Sequence, residues 1–115
     1  MLHFKRRAIC YISARLITGK NISSIFDYAH SAYFNYSGSI STNINIYDYS
    51  RSCYLTGNQS NIFDYGTSQY VSLKLNGVQF SGYDYETGNY FNGRMNGNSI
   101  SFFDYQDGSY YNFSI

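Results

Sequence analysis

Apolar and polar residues alternate along most of the chain after residue 20, as they do in β-strands that bury one face. Successive side chains of a strand point to opposite faces, so residues two apart share a face. Three apolar faces of this kind are Ile44, Ile46 and Asp48; Val71, Leu73 and Leu75; and Ile100, Phe102 and Asp104. We expect such faces to form the core of an antiparallel sheet.

A short motif interrupts this alternation at regular intervals. It consists of Phe or Tyr, then Asp-Tyr, then four residues, then Tyr, and its Asp residues are Asp27, Asp48, Asp64, Asp84 and Asp104. They are 21, 16, 20 and 20 positions apart, a period that is typical of tandem structural repeats. A degenerate copy occurs at Phe4-Lys5-Arg6 with Tyr11. The chain therefore reads as one β-repeat domain over 1–115, with 1–18 a degenerate first unit and 19–115 five units.

Each unit is predicted to form a β-hairpin with a four-residue turn inside the motif. Asn76-Gly77 and Asn96-Gly97 predict two-residue turns between units. A three-residue motif turn with a Gly bulge is the alternative, and it would shift the register by one residue. Six hairpins give about twelve strands in an all-β antiparallel meander. Open sheets of that size curl or split, so we favour a closed or nearly closed barrel over two packed layers or pairing with a second copy.

These registers place one aromatic row on the face opposite the core. A two-residue turn at Asn96-Gly97 would pair Tyr90 with Phe103 and make the row continuous. Cross-strand aromatic pairs stiffen a sheet, but contiguous exposed aromatics also mark interaction sites. The candidate ligand-binding residues are Tyr47, Tyr54, Tyr70, Tyr83, Tyr90 and Tyr110.

Composition supports an all-β fold and divides the chain electrostatically. The 115 residues include 15 Tyr and 9 Phe, which favour strands, and no Pro or Trp. Residues 1–26 hold five Lys or Arg residues and no acid, whereas all seven acids follow. We interpret the basic first unit as an atypical end unit that lies beside the acidic last units. Nucleic-acid binding through Lys5, Arg6 and Arg7 is a weaker hypothesis.

Catalytic and metal-binding patterns are absent from the sequence. His3 and His30 are the only histidines, and neither has a nucleophile or metal-ligand spacing beside it. One Asp per unit falls short of the six to eight oxygens that Ca²⁺ takes, and nothing singles out two carboxylates as a glycosidase pair. We expect each Asp to accept backbone N–H bonds in its turn. The chain is predicted to be neither an enzyme nor a cofactor or metal protein.

Two functions remain open at this stage. The first is a non-catalytic binding module whose Tyr-rich surface holds a flat aromatic or sugar-like ligand, and the second is a structural or self-associating protein, such as a homo-oligomer.

No apolar run approaches the 18 residues of a membrane-spanning helix, and residues 1–20 lack a convincing signal peptide. Cys10 and Cys53 fall on strands too far apart for a disulfide. Reduced thiols favour the cytoplasm.

Overall fold

The computed structural model describes all 115 residues, which form one helix followed by ten strands. The helix α1 spans His3–Thr18. The strands are β1 (Ser24–Asp27), β2 (Ala32–Ile40), β3 (Asn43–Asp48), β4 (Cys53–Asn58), β5 (Ile62–Asp64), β6 (Gln69–Asn76), β7 (Gln79–Asp84), β8 (Asn89–Asn96), β9 (Ser99–Asp104) and β10 (Ser109–Ser114).

The strands form a closed antiparallel barrel. Each strand pairs with its neighbours in sequence, and β1 also pairs with β10, which closes the sheet. The predicted all-β antiparallel meander and its closure are therefore confirmed, with ten strands in place of about twelve. The missing pair is the one expected from residues 1–18.

The prediction of a degenerate hairpin over residues 1–18 is wrong, because residues 3–18 are helical. This segment contains Lys, Arg, Ala and Leu, which favour a helix more than the Asn, Gly and Tyr of later units do. The helix ends at Gly19, whose backbone is left-handed and whose N–H donates to the Arg15 carbonyl at 2.9 Å. The Phe4-to-Tyr11 spacing that resembled the motif is coincidental.

The helix occupies the lumen of the barrel. Every residue from Lys5 to Ala14 is buried, so the helix contacts barrel wall on all sides. A barrel of about eight strands is filled by its own side chains; ten strands leave a wider interior, which α1 fills. Near the middle, the Tyr11 ring stacks on Tyr36 of β2 with centroids 4.4 Å apart.

The aliphatic face of the sheet points inward, as predicted. The buried residues of the wall include Ile44 and Ile46 on β3, Val71 and Leu73 on β6, and Ile100 and Phe102 on β9. They form one core cluster with the apolar residues of α1. The opposite face of each strand is therefore left for solvent.

The five motif turns lie at one end of the barrel, which we call the motif end, and α1 begins at the same end. Each turn has four residues between its strands, as predicted. In every turn one Asp oxygen accepts the backbone N–H two residues later, at 2.8–3.2 Å. The expected turn role of the Asp is therefore confirmed.

The Asp side chains also point into the lumen, where they meet cations. Lys5 Nζ lies 2.7 Å from Asp84, and Arg7 Nε lies 3.1 Å from Asp27. All four of these side chains are at most 3% exposed. We predicted that the basic segment lies beside the acidic last units. It lies inside the barrel instead, where it contacts the first hairpin through Asp27 as well as a later hairpin through Asp84.

The remaining carboxylates of this buried ring have partners too. Arg51 bridges Asp48 and Asp64 at 2.8 and 2.9 Å, and Arg6 lies 3.5 Å from Asp104, which also accepts from the Met1 amino group. Burial acts to lower the pKa of Arg51, but the hydrogen bond to Asp48 and the charge of Asp64 outweigh it and raise that pKa. The ion pairs from Lys5, Arg6 and Arg7 tie α1 to the wall at the motif end.

Thiol labelling should report whether α1 occupies the lumen. Cys10 is fully buried, and burial raises the pKa of its thiol well above the ordinary value, whereas Cys53 on β4 is only half-buried. We expect Cys53 to react with a maleimide in the native protein. In a Cys53→Ser variant, Cys10 should react at least about 1,000-fold more slowly than a free thiol, because opening a folded domain costs about 5 kcal/mol or more. Fast native labelling of Cys10 would place α1 outside the barrel.

Candidate functional site: a collar of tyrosine triads

Each motif builds a cluster of three aromatic rings on the outer face of the barrel. In the motif of β7 and β8, Tyr83 packs edge to face against Tyr85 and Tyr90, at centroid distances of 4.9 and 4.8 Å. The same triad recurs in all five motifs, with centroids 4.7–4.9 Å apart and interplanar angles of 60–82°. Edge-to-face pairs of this kind are attractive beyond the area they bury. The rings are therefore held in place without a ligand.

Local sequence explains the triad. In the Phe/Tyr-Asp-Tyr run, strand alternation points the first aromatic outward and the Asp inward. The second Tyr is the first residue of the turn, but its backbone N–H still bonds to the neighbouring strand, as in Tyr85 with the Tyr70 carbonyl, and its ring also lies on the outer face. The four-residue turn then pairs the first aromatic with the final Tyr, as in Tyr47 with Tyr54 and Phe103 with Tyr110. One motif thus builds both the buried ion pair and the surface cluster.

The outer members of the triads are strongly exposed. The central ring of each triad is half-buried, whereas its two flanking tyrosines are 49–70% exposed. We call these ten residues the tyrosine collar: Tyr28, Tyr33, Tyr49, Tyr54, Tyr65, Tyr70, Tyr85, Tyr90, Tyr105 and Tyr110. The collar surrounds the motif end of the barrel.

The six tyrosines predicted as candidate binding residues all lie in triads. Tyr47 and Tyr83 are half-buried central rings, whereas four are exposed members of the collar: Tyr54, Tyr70, Tyr90 and Tyr110. Sequence reasoning did not select the second Tyr of each motif, such as Tyr85. That residue lies two positions after the central aromatic, so strand alternation alone could have placed it on the outer face.

The aromatic row is divided into separate triads, so the prediction of a continuous row is wrong. The residue that pairs with Phe103 on β8 is Asn92, not Tyr90. The two turn residues are Gly97 and Asn98, because Asn96 already pairs with Ser99. This turn shifts the expected pairing by two residues. No ring of one triad stacks on a ring of the next.

Small polar residues fill the positions between triads. The residue opposite each central aromatic on the neighbouring hairpin is Ser37, Thr56, Ser72, Asn92 or Ser114. Asn92 Nδ2 donates to the Tyr105 hydroxyl at 2.9 Å, and Ser37 Oγ donates to the Tyr49 hydroxyl at 3.1 Å. Each gap between triads therefore offers hydrogen-bonding groups beside aromatic faces.

A shallow groove of about 440 Å³ lies between the fourth and fifth triads. Tyr90 and Tyr105 line it together with Ser81, Asn89 and Asn92. A second groove, of about 530 Å³, is lined by Tyr47, Tyr49 and Tyr54 together with Ser37 and Asn45. Both combine tyrosine rings with amide and hydroxyl groups.

The collar and the carboxylates lie on opposite faces of the sheet. The five motif Asp side chains are at most 2% exposed and are paired inside the barrel, so none reaches a molecule bound at the collar. No three His, Cys, Asp or Glu side chains are grouped to hold a metal ion. The collar can stack and hydrogen-bond, and it carries no charged group of its own.

The helix α1 is too short and too polar to cross a membrane. Comparison with protein-family models, curated protein sequences and solved structures found no match to this chain.

Proposed function

We propose that this chain is a non-catalytic binding protein whose tyrosine collar holds sugar rings in the grooves between triads. The observation that carries the proposal is the collar itself, in which ten tyrosines are about half or more exposed. Clusters of exposed aromatics on a folded domain are a feature of interaction surfaces. Tyrosine offers a large, rigid contact area with little conformational entropy to lose.

A saccharide suits the mixed chemistry of the grooves. A sugar ring has an apolar C–H face that can lie on a tyrosine, and a rim of hydroxyls that need partners. The groove between the fourth and fifth triads provides both, with Tyr90 and Tyr105 beside Asn89 and Asn92. A flat aromatic ligand would use the rings but not these polar groups, so a sugar is the better match.

The repetition of grooves around the barrel favours a ligand with several sugar units. Grooves of related composition lie beside the second motif and between the fourth and fifth motifs. Shallow single sites bind weakly, but linked sites raise the overall affinity through effective concentration. We therefore expect measurable binding to polysaccharides and weak binding to monosaccharides.

Substitution at the groove between the fourth and fifth triads tests this function. A Tyr90→Ala/Tyr105→Ala variant should lose about tenfold or more in affinity for a glycan that the unmodified protein binds on an array, because one linked site is removed. A Tyr90→Phe/Tyr105→Phe variant keeps the rings and should retain most of the binding. Affinity is measured by biolayer interferometry on the immobilised glycan.

The matched control is Val78→Ala, an exposed residue in a turn at the opposite end of the barrel, which should bind as the unmodified protein does. Removing an aromatic pair should itself lower the free energy of unfolding by about 0.5–1.5 kcal/mol. Urea unfolding measures that change, so that lost binding can be distinguished from lost stability.

The alternative function is self-association through the collar. Two results together would establish that alternative in place of ours. The unmodified protein would bind no glycan and have the solution mass of a dimer, and the Tyr90→Ala/Tyr105→Ala variant would have the mass of a monomer.

A further inference from the structure

The fold separates the charges of this chain between the two faces of the sheet. The five motif Asp residues point into the lumen and are paired there. The other two acids, Glu86 and Asp107, lie in turns at the motif end. The outward faces of the ten strands therefore carry no acid, although they carry Lys74 and Arg94. The outward strand faces thus carry two cations and no carboxylate, on a chain whose net charge is only +1.

Lys74 and Arg94 line one groove. Lys74 on β6 pairs across the sheet with Ser81 of β7, and Arg94 on β8 pairs with Gln79 of β7. The two cations thus stand on either side of β7. Both are exposed and neither is within ion-pair distance of an acid. The groove has a volume of about 590 Å³.

The rest of the groove resembles the grooves of the collar. Asn76, Asn92 and Ser101 line it with amide and hydroxyl groups, and Tyr110 of the fifth triad lines it with an aromatic ring. This groove therefore joins the collar to the pair of cations. A ligand that lies on Tyr110 can reach the cations within the same groove.

We propose that this groove binds an acidic sugar residue, one that carries a carboxylate or a sulfate group, within the glycan held by the collar. This proposal rests on the proposed function and names its ligand class. Arg94 presents a planar fork that matches two oxygens of an anionic group, and Lys74 supplies a second, more flexible charge. Sugar hydroxyls then meet the Asn and Ser side chains, and the ring lies against Tyr110.

The same observations argue against a nucleic acid as the occupant. Affinity for a phosphate backbone grows with the number of phosphates that a protein neutralises. The densest basic run of the chain, Lys5 to Arg7, is buried in the lumen and paired with Asp84, Asp104 and Asp27. Two cations on the outer wall are enough to pair with one acidic sugar, but they can neutralise only a few phosphates of a nucleic acid.

The experiment measures the affinity of the full chain for four immobilised polymers: polygalacturonate, dextran sulfate, uncharged dextran and single-stranded RNA. We expect at least one acidic polysaccharide to bind about tenfold or more tightly than dextran at low salt, and to weaken as salt is added. A Lys74→Gln/Arg94→Gln variant should lose about tenfold or more of that affinity while its affinity for dextran stays the same. The two acidic polymers separate carboxylate from sulfate recognition, and preference for either supports the proposal.

The matched control is Lys20→Gln, which removes an exposed cation that lies outside the groove. It should bind all four polymers as the unmodified protein does, and thermal melts should show all variants folded. Equal binding of dextran and the acidic polymers, unchanged in the double variant, would overturn this inference and leave the proposed function standing. Absence of binding to any polysaccharide here and on the glycan array would overturn both. Tighter binding to RNA than to any polysaccharide would overturn the acidic-sugar assignment.

Discussion

An Asp84→Ala variant should lose about 3–5 kcal/mol of its free energy of unfolding, because it leaves the Lys5 ammonium buried without its close partner. Lys5 Nζ lies 2.7 Å from Asp84, and both side chains are at most 1% exposed. Asp84 also accepts from the Glu86 backbone N–H and from the Thr87 hydroxyl, so the turn loses two bonds as well. Urea unfolding followed by circular dichroism measures the change.

Glu86→Ala is the matched control, since it removes the other acid that contacts Lys5. Glu86 lies 3.1 Å from the ammonium but is 30% exposed, and such partly solvated pairs contribute about 0–1 kcal/mol. A Lys5→Met/Asp84→Leu variant, which removes both charges, should unfold at a higher urea concentration than Asp84→Ala does. An Asp84→Ala protein no less stable than Glu86→Ala would show that α1 is not held by the buried ring.

A Gly38→Ala variant should lose about 2–6 kcal/mol of its free energy of unfolding. Gly38 lies in β2 with a φ of 113°, and a Cβ there would stand 2.1 Å from the Asn45 carbonyl oxygen. The strained backbone costs about 1–3 kcal/mol, and the overlap adds about 1–3 kcal/mol because a backbone atom cannot rotate away. The Gly38 carbonyl also accepts from Arg15 at 2.9 Å, so the contact with the far end of α1 would loosen.

Gly97→Ala serves as the comparison for Gly38→Ala. Gly97 also has a positive φ, of 60°, but no atom lies within 4 Å of the position a Cβ would take. Its substitution should cost only the left-handed backbone penalty, about 1–2 kcal/mol. Equal urea midpoints for the two variants would mean that β2 and β3 separate at Gly38 more easily than their pairing suggests.

The features that the sequence predicts correctly are those that depend on neighbouring residues. Alternation places Ile44, Ile46 and Asp48 on one face, and it needs only the period of a strand. The constant spacing between each motif Asp and its final Tyr agrees with the four-residue turn, which pairs Tyr83 with Tyr90. Curling of so large a sheet then predicts closure.

The register between units depends on which residues the turn uses. The two central residues of this turn are Gly97 and Asn98. Only Gly97 has a positive φ, as in a type II′ turn, which has Gly at its first central position. An Asn-Gly pair suggests the type I′ turn, with Asn first, and that choice moves the partner of Phe103 from Asn92 to Tyr90. A difference in one turn type thus decides whether the collar is a row or a set of triads.

The helix and the second role of the Asp residues depend on tertiary structure. The Phe4-to-Tyr11 spacing matches the motif, and only the helix-forming residues around it indicated otherwise. Once α1 lies in the lumen, Lys5 and Arg7 meet carboxylates that a turn alone would leave partly unpaired. Nothing in the spacing of the motif reveals that cations stand on its inner side.

The pairing of β1 with β10, which we call the seam of the barrel, bears on the order in which the strands assemble. Only two residue pairs join these strands, Phe26 with Ser114 and Asp27 with Phe113, whereas six join β7 to β8. Every other pairing links strands adjacent in sequence, whose loops are short and close at small entropic cost. We therefore expect the hairpins to form first and the pairing of β1 with β10 to form last. In that order, the strands enclose α1 before β1 and β10 pair and close the barrel.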